Sequence, residues 1–169
     1  MKKLSILKSL VDFIWIVTCL PLIPILLFFS VFIFVNPESL NVIFEMNDDI
    51  VTASPPIFQV FGLLFAAMLF LGIYCFYLFR KTLRYFQRIK PFHEKVIENF
   101  HKIGRLLSII GISGSILFFV ARVILKNEIK INLGISPYLT TLCLGLFFMV
   151  LSEIFKIAKQ AKEENELTV

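Results

Sequence analysis

Ionisable residues are nearly missing from four long stretches of this 169-residue chain, although Lys, Arg, Asp and Glu make up 17% of it. Hydrophobic residues account for 58%, above the roughly 45–50% of soluble globular proteins, and the mean hydropathy is +0.86. A bilayer core of about 30 Å needs about 20 helical residues, and each stretch approaches or meets that length. The sequence therefore predicts an all-α integral membrane protein, a four-helix bundle with a single membrane domain over residues 1–169.

Cysteine and histidine are scarce, and their spacing excludes several kinds of site. Cys19, Cys75 and Cys143 each fall alone in a different apolar stretch, which indicates small buried side chains rather than a disulfide framework. The chain has no Ser/His/Asp or Cys/His order, no phosphate-cradling glycine loop and no pair of intramembrane acids. We therefore expect no enzymatic activity and no cofactor.

Charge, proline and capping signals set the boundaries of the four spans. Pro21 and Pro24 predict a bend in the first span, which is too long for a signal-peptide core and is expected to be retained. Ser54 and Ser136, each followed by proline, are N-cap candidates for spans two and four. We expect spans at about 12–35, 57–79, 104–125 and 135–153, external loops at 36–56 and 126–134, a cytoplasmic hairpin at 80–103 and a cytoplasmic tail at 154–169.

Lys and Arg are absent from residues 36–56, which carry four acids, whereas residues 80–105 carry eight basic residues. Because positive residues are retained on the cytoplasmic side of short loops, this asymmetry predicts that both termini lie inside. Over the whole chain, fourteen basic residues fall on the predicted inner side and three on the outer side. We expect a multi-pass protein of the bacterial cytoplasmic (inner) membrane.

The hairpin is predicted to be a helical extension of spans two and three that turns at Pro91. Apolar residues recur every three or four positions and form a seam for antiparallel packing: Phe79, Leu83 and Phe86 on one arm, and Phe92, Val96, Phe100, Ile103 and Leu107 on the other. The basic residues then lie near anionic inner-leaflet headgroups, which excludes direct nucleic-acid binding as the leading role. They are Arg80, Lys81, Arg84, Arg88 and Lys90.

Span three is short, because sixteen residues separate Arg105 from Arg122, or roughly 24 Å of helix. Either Arg122 reaches along the helix to the membrane interface, or it forms an ion pair with an acid of the first loop. The available acids are Glu45, Asp48 and Asp49. An ion pair would make Arg122→Ala more destabilising than Arg122→Lys.

The two external loops show a coarse alternation of apolar residues. It involves Val42, Phe44 and Met46 in the first, and Ile129, Ile131 and Leu133 in the second. This pattern predicts two short strands, and the alternative is a pair of irregular loops lying in the headgroups.

Small residues mark the faces where helices can approach closely in lipid. They recur at spacings of four, three and four on span three, at Gly104, Ser108, Gly111 and Ser115, and on span two at Gly62 and Ala66. We expect these faces to pack within the bundle, and a homodimer face is the alternative.

Two weaker patterns point to other functions. Glu94, Glu98, His101 and Arg105 share a helical face, but one Glu-x-x-His pair is too few for a di-metal bundle, so a solvated face with ion pairs is favoured over a metalloprotein. The span interiors contain no Asp, Glu, Lys, Arg or His for a solute site. A small transport or membrane-integrity component acting as an oligomer is the alternative function.

The carboxyl end continues span four as an amphipathic helix before a charged end. Ile154, Ala158 and Ala161 share one face, which is predicted either to dock on the hairpin or to receive a soluble partner.

The order of several short motifs resembles the domain-of-unknown-function 2975 family of bacterial four-span membrane proteins. They are Pro91-Phe92, Ile103-Gly104, Ile154-Phe155 and the ending Glu163 to Val169. Members of that family are often encoded beside a very small helix-turn-helix regulator, which implies that a cytoplasmic surface controls a DNA-binding partner. The implied contacts are the basic hairpin residues together with Phe155, Glu163, Glu164, Asn165 and Leu167.

Overall fold

The computed structural model describes residues 2–35, 55–87, 92–126 and 136–167. The first range forms helix α1 (Lys2–Ile14), a five-residue π-helix (Trp15–Cys19) and helix α2 (Leu20–Val35). The others form α3 (Pro55–Gln87), α4 (Glu94–Lys126) and α5 (Pro137–Leu167). Over these ranges the architecture is all-helical, as predicted.

Within the described ranges, four helical segments are long and apolar enough to cross a membrane. They are Ser5–Val35, Gln59–Gln87, Glu94–Ile124 and Pro137–Glu166. Large apolar side chains cover the outside of the bundle, and those of Phe28 and Val35 are 72% and 73% exposed. Continuous apolar surface of this kind is unfavourable in water but is the expected surface of a helix bundle in lipid. The number of spans therefore agrees with the sequence prediction.

The first span contains a wide helical turn directly before its prolines. The amide of Leu20 donates to the carbonyl of Trp15, which is the i to i+5 pattern of a π-helix. Pro21 and Pro24 have no amide hydrogen, so the helix cannot complete its ordinary hydrogen-bond ladder across this region. The structure thus has a π-helix beside the two prolines, and the bend of this span stays a prediction.

Proline and serine define the starts of the later helices. α3 begins at Pro55, and the preceding cap candidate Ser54 lies outside the described residues. At the start of α5, the Ser136 hydroxyl accepts a hydrogen bond from the Leu139 amide at 3.2 Å. This is the N-cap interaction that the Ser-Pro sequence predicts.

α3 and α4 pack antiparallel, and α5 lies along α4 in the most extensive helix contact of the fold. We call the end of the bundle where α3 ends and α4 begins the hairpin end. Its buried core consists of Cys75, Leu78, Val96, Phe100 and Ile103. This hairpin core contains much of the predicted seam, and Phe79, Phe86 and Leu107 pack against it. Leu83 is also buried but is not part of this cluster.

The first helix packs against α3 through a second apolar cluster. Cys19, Leu26 and Ile73 form its buried centre, and Trp15 and Phe76 lie against it. The α1–α2 segment thus contacts the bundle through α3. The segments predicted as strands, Val42 to Met46 and Ile129 to Leu133, lie outside the described residues, as does the predicted turn at Pro91.

Candidate functional site

Aromatic rings fasten the C-terminal helix to the hairpin end. The Phe155 ring of α5 stacks on Phe100 of α4, with 5.5 Å between ring centroids. It also meets Phe86 of α3 edge-on at 5.7 Å and Phe92 at 6.1 Å. Offset and edge-to-face ring pairs stabilise packing beyond the apolar area that they bury. Phe155, predicted as a partner contact, therefore lies within an intramolecular aromatic cluster joining three helices.

A hydrogen bond reinforces this attachment one turn earlier in α5. Ser152 is buried, and its hydroxyl donates to the Ile97 carbonyl of α4 at 2.8 Å. Interhelical hydrogen bonds of this type restrain helix pairs in membranes. The C-terminal helix is consequently docked on the hairpin end as far as Phe155.

The docked face of α5 differs from the predicted one. Ile154 is 54% exposed, Ala161 is also exposed and Ala158 is half-buried, whereas Phe148, Ser152 and Phe155 face the hairpin core. The prediction selected aliphatic residues by their spacing. The observed face is different because the rings of Phe148 and Phe155 pack against aromatic rings on α3 and α4. The face containing Ile154 remains on the outside of the bundle.

Beyond Phe155, α5 continues as a charged helix to Leu167 and is exposed over residues 160–166. Ion pairs at helical spacing run along it: Lys156–Glu153 at 3.4 Å, Lys159–Glu163 at 3.6 Å and Lys162–Glu166 at 3.5 Å. Exposed pairs of this kind contribute about 0.3–0.5 kcal/mol each to helix stability. We call residues 160–167 the tail helix; Glu164 and Asn165 lie on it and are exposed.

The predicted basic cluster is divided between paired and exposed side chains. Lys81 and Arg84 are exposed at the hairpin end, and Arg88 and Lys90 lie outside the described residues. Arg80 instead donates from Nε to the Asp12 carboxylate of α1. Of the described residues in this cluster, Lys81 and Arg84 are therefore the exposed ones.

Sequence reasoning missed the ion pair between Asp12 and Arg80. Asp12 also lies 3.8 Å from the Lys8 amine, and the Arg80 guanidinium lies 5.8 Å from the Trp15 ring centre. Trp15 in turn stacks on Phe76 with 6.1 Å between centroids. The available signal was that Asp12 is the single acid in residues 1–35 and falls on the same predicted side as the basic cluster.

The small-residue face of span three packs against α5. A Cβ atom built at Gly111 would lie 2.8 Å from the Leu142 amide nitrogen, and Gly104 is similarly crowded by the Gly145 carbonyl at 2.7 Å. Gly145 was not predicted, yet a Cβ there would lie 2.7 Å from the Ser108 amide. These contacts bring the two backbones together, as small residues do in membrane bundles.

The predicted stripe of small residues on span three does not extend to its last position, Ser115. Ser115 is exposed, and Gly114 instead lies against Tyr138 and Met68. Gly111 already contacts Tyr138, the second residue of α5, so Ser115, about one turn farther along α4, lies past the start of that helix. On α3, Ala66 is buried and Gly62 makes room for Ile33 of α2, so this pair packs inside the fold.

Arg122 and the three cysteines lie in or near the predicted spans. The Arg122 guanidinium lies 5.0 Å from the Phe118 ring centre, and the acids proposed as its partners lie outside the described residues. Cys19 and Cys75 are buried, but Cys143 is exposed on the outside of the bundle.

The Glu-x-x-His face of α4 carries a local ion pair. Glu98 accepts from the Lys102 amine at 2.6 Å. Within the described ranges, no group of three or more His, Cys, Asp or Glu side chains is arranged to hold a metal ion.

One buried polar group at the hairpin end stands out. Asn99 of α4 is 6% exposed, and its Nδ2 has no hydrogen-bond acceptor among the described residues. Most buried amides in folded proteins are paired, so this side chain carries a desolvation cost. By contrast, the buried Thr82 hydroxyl donates to the Leu78 carbonyl at 2.9 Å.

Comparison with known proteins places the chain by family. No curated protein and no solved structure matches it. Residues 12–169 match the family model described as "Protein of unknown function (DUF2975)", which covers the four segments long and apolar enough to cross a membrane, apart from residues 5–11 of the first. The chain therefore belongs to the DUF2975 family.

Proposed function

We propose that this protein is a membrane-bound regulatory protein whose hairpin end and C-terminal tail bind a small soluble DNA-binding regulator on the cytoplasmic side. The observation that carries the proposal is the tail helix, which extends past the Phe155 contacts and is exposed through Glu166. From Phe155 to Leu167 the helix extends about 18 Å at 1.5 Å per residue. A membrane anchor with a rigid, projecting polar helix is suited to holding a soluble partner.

The charge of the tail helix indicates what kind of partner it can bind. Glu163, Glu164 and Glu166 lie within four consecutive positions on an exposed helix. A DNA-binding regulator carries a basic surface, which is attracted to anionic groups. Weak exposed ion pairs with Lys159 and Lys162 restrain two of these carboxylates, and such pairs exchange readily for contacts with a partner. The family resemblance, which implies a helix-turn-helix partner, supports the same assignment.

Copurification with and without the tail tests this function. A tagged protein would be crosslinked in its native membranes and purified in mild detergent, and its partners identified by mass spectrometry. Truncation after Lys162 removes the acidic end but retains the Ser152 and Phe155 attachments. We expect a small DNA-binding protein to copurify with the full-length chain and to be lost from the preparation of the truncated one. Phe147→Leu, at an exposed position on the same helix, should retain the partner.

Orientation is part of the proposal, because the tail must face the compartment that holds the regulator. In a cysteine-free background, Ala161→Cys should react with a membrane-impermeant maleimide only after the cells are permeabilised. A cysteine at Glu45, in the acidic loop, should react in intact cells. Labelling of Ala161→Cys in intact cells would refute the proposed orientation.

A further inference from the structure

An apolar groove lies between α3 and α4, in the half of the bundle remote from the hairpin end. Its volume is about 660 Å³, within the range of about 300–1,000 Å³ typical of small-molecule sites. α3 contributes one wall and α4 the other; the walls include Phe61, Leu64 and Met68, and Ile116, Leu117 and Val120. Both helices belong to segments able to span the membrane. The groove therefore opens within the part of the protein that faces hydrocarbon.

The groove arises where the two helices stop packing closely. Met68 crosses Gly114, where an added Cβ would lie 2.8 Å from the methionine Cε, and this contact closes one end. Beyond it, toward the start of α3, the facing side chains are bulky, including Leu64 and Leu117. Among the lining residues that the structure describes, none is glycine or alanine, and Ser113 is the one small residue of the kind that brings helices together in lipid.

The described lining of the groove has no polar group available to recognise a headgroup or a solute. Ser113 contributes the one polar side chain among its described lining residues, and its hydroxyl donates to the Ile109 carbonyl of its own helix at 2.6 Å. A ligand that fits these walls must therefore be hydrocarbon over the length that it places in the groove.

The groove is continuous with the lipid-facing surface. Val60, Leu64 and Ile116 line it and are also substantially exposed on the outside of the helices. An empty apolar space would forfeit dispersion contacts along both walls, whereas an acyl chain from the surrounding bilayer restores them. We propose that this groove is a binding site for one acyl chain of a membrane phospholipid, held between α3 and α4.

Photolabelling of the full-length protein tests the site. The protein would be placed in nanodiscs of phosphatidylglycerol, a fraction of which carries a diazirine in one acyl chain, and labelled peptides would be quantified after irradiation. We expect several-fold more label on the peptides that contain Leu64 and Leu117 than on the peptide that contains Leu139. Leu139 is the matched control, because it is exposed near the same end of the bundle but lies outside the groove.

Filling the groove gives a second, independent readout. Leu117→Trp should reduce labelling around Leu64 several-fold, because the larger ring occupies the space of the chain. Phe119→Trp, at an exposed position two residues along the same helix, should leave it unchanged. If Leu117→Trp does not fold, Leu64→Trp with the label read at Leu117 replaces it.

Three results would overturn the proposal. The first is equal labelling of the Leu139 and groove peptides in the unmodified protein. The second is a groove signal that persists in the filled variants. The third is crosslinking between copies through Leu64 or Leu117, which would identify the groove as a homodimer face.

Discussion

Asp12 of α1 and Arg80 of α3 form an ion pair that joins the N-terminal helix to α3 near the hairpin end. Both side chains are about one-quarter exposed, so the pair is neither freely solvated nor fully buried. The Trp15 ring beside Arg80 restricts the guanidinium further. In a bundle whose first helix contacts the rest through α3, this pair is a polar restraint on the position of α1.

We expect Asp12→Ala and Arg80→Ala each to lower the thermal stability of the purified protein, and the double variant to be little worse than either single one. A coupling energy of about 1 kcal/mol is expected for a partly exposed pair of this kind. Thermal unfolding in detergent of the unmodified protein, the two single variants and the double variant gives the four stabilities of this double-mutant cycle. Lys8→Ala is the control, because its amine lies 3.8 Å from Asp12 and should contribute less. Additive losses would show that the two side chains act separately.

The close contact between α4 and α5 predicts opposite results for two glycines. Gly145→Ala should cost about 1–3 kcal/mol, because the new methyl group meets backbone atoms of Ser108 and Gly104. Gly72→Ala should leave stability unchanged or raise it by up to about 1 kcal/mol, since nothing lies within 4 Å of its added Cβ. Thermal unfolding of the two variants side by side measures the difference. Equal behaviour would contradict the described helix contact.

Removal of the Phe155 ring should loosen the C-terminal helix from the hairpin end. Phe155→Ala is expected to cost less than the roughly 3–5 kcal/mol typical of fully buried phenylalanine, because the ring is only partly buried. Hydrogen exchange of residues 152–160 should rise in this variant. Phe147→Ala, which removes an exposed ring from the same helix, should change neither measurement appreciably. Unchanged exchange in Phe155→Ala would show that the ring does not hold the helix.

The buried amide of Asn99 should be a cost to the folded state. Asn99→Leu is expected to raise stability, because an unpaired buried polar group costs about 1–3 kcal/mol. Thr82→Val should lower it, because that hydroxyl is buried and already bonded to the Leu78 carbonyl. The melting temperature of each variant, compared with that of the unmodified protein, tests both expectations. Destabilisation by Asn99→Leu would mean that the amide makes an interaction beyond the described residues.

The sequence predicted features that depend on local spacing and solvent. Hydropathy located four membrane helices, the Ser136-Pro137 pair marked the start of α5, and the seam containing Val96, Phe100 and Ile103 became the hairpin core. Each of these follows from one helix and its environment, so a periodic pattern is sufficient to reveal it.

Features that depend on which helices are neighbours were not predictable in the same way. The role of Gly145 depends on the packing of α5 against Ser108. The role of Asp12 depends in the same way on the packing of α1 against Arg80. The choice of Phe155 over Ile154 as the docked residue likewise follows from the rings that α3 and α4 present. The groove beside Leu64 and Leu117 arises because two helices separate there. The spacing of residues within one helix does not predict the distance to its neighbour.

The most direct test of the regulatory role is photo-crosslinking from the tail helix in cells. A photoreactive amino acid at Ala161, an exposed and uncharged position, would be compared with the same residue at Ile112, which is exposed on the apolar surface of α4. We predict that Ala161 yields an adduct with a small soluble DNA-binding protein and that Ile112 yields none. Adducts from Ala161 only with lipid or with the chain itself would contradict the proposed function.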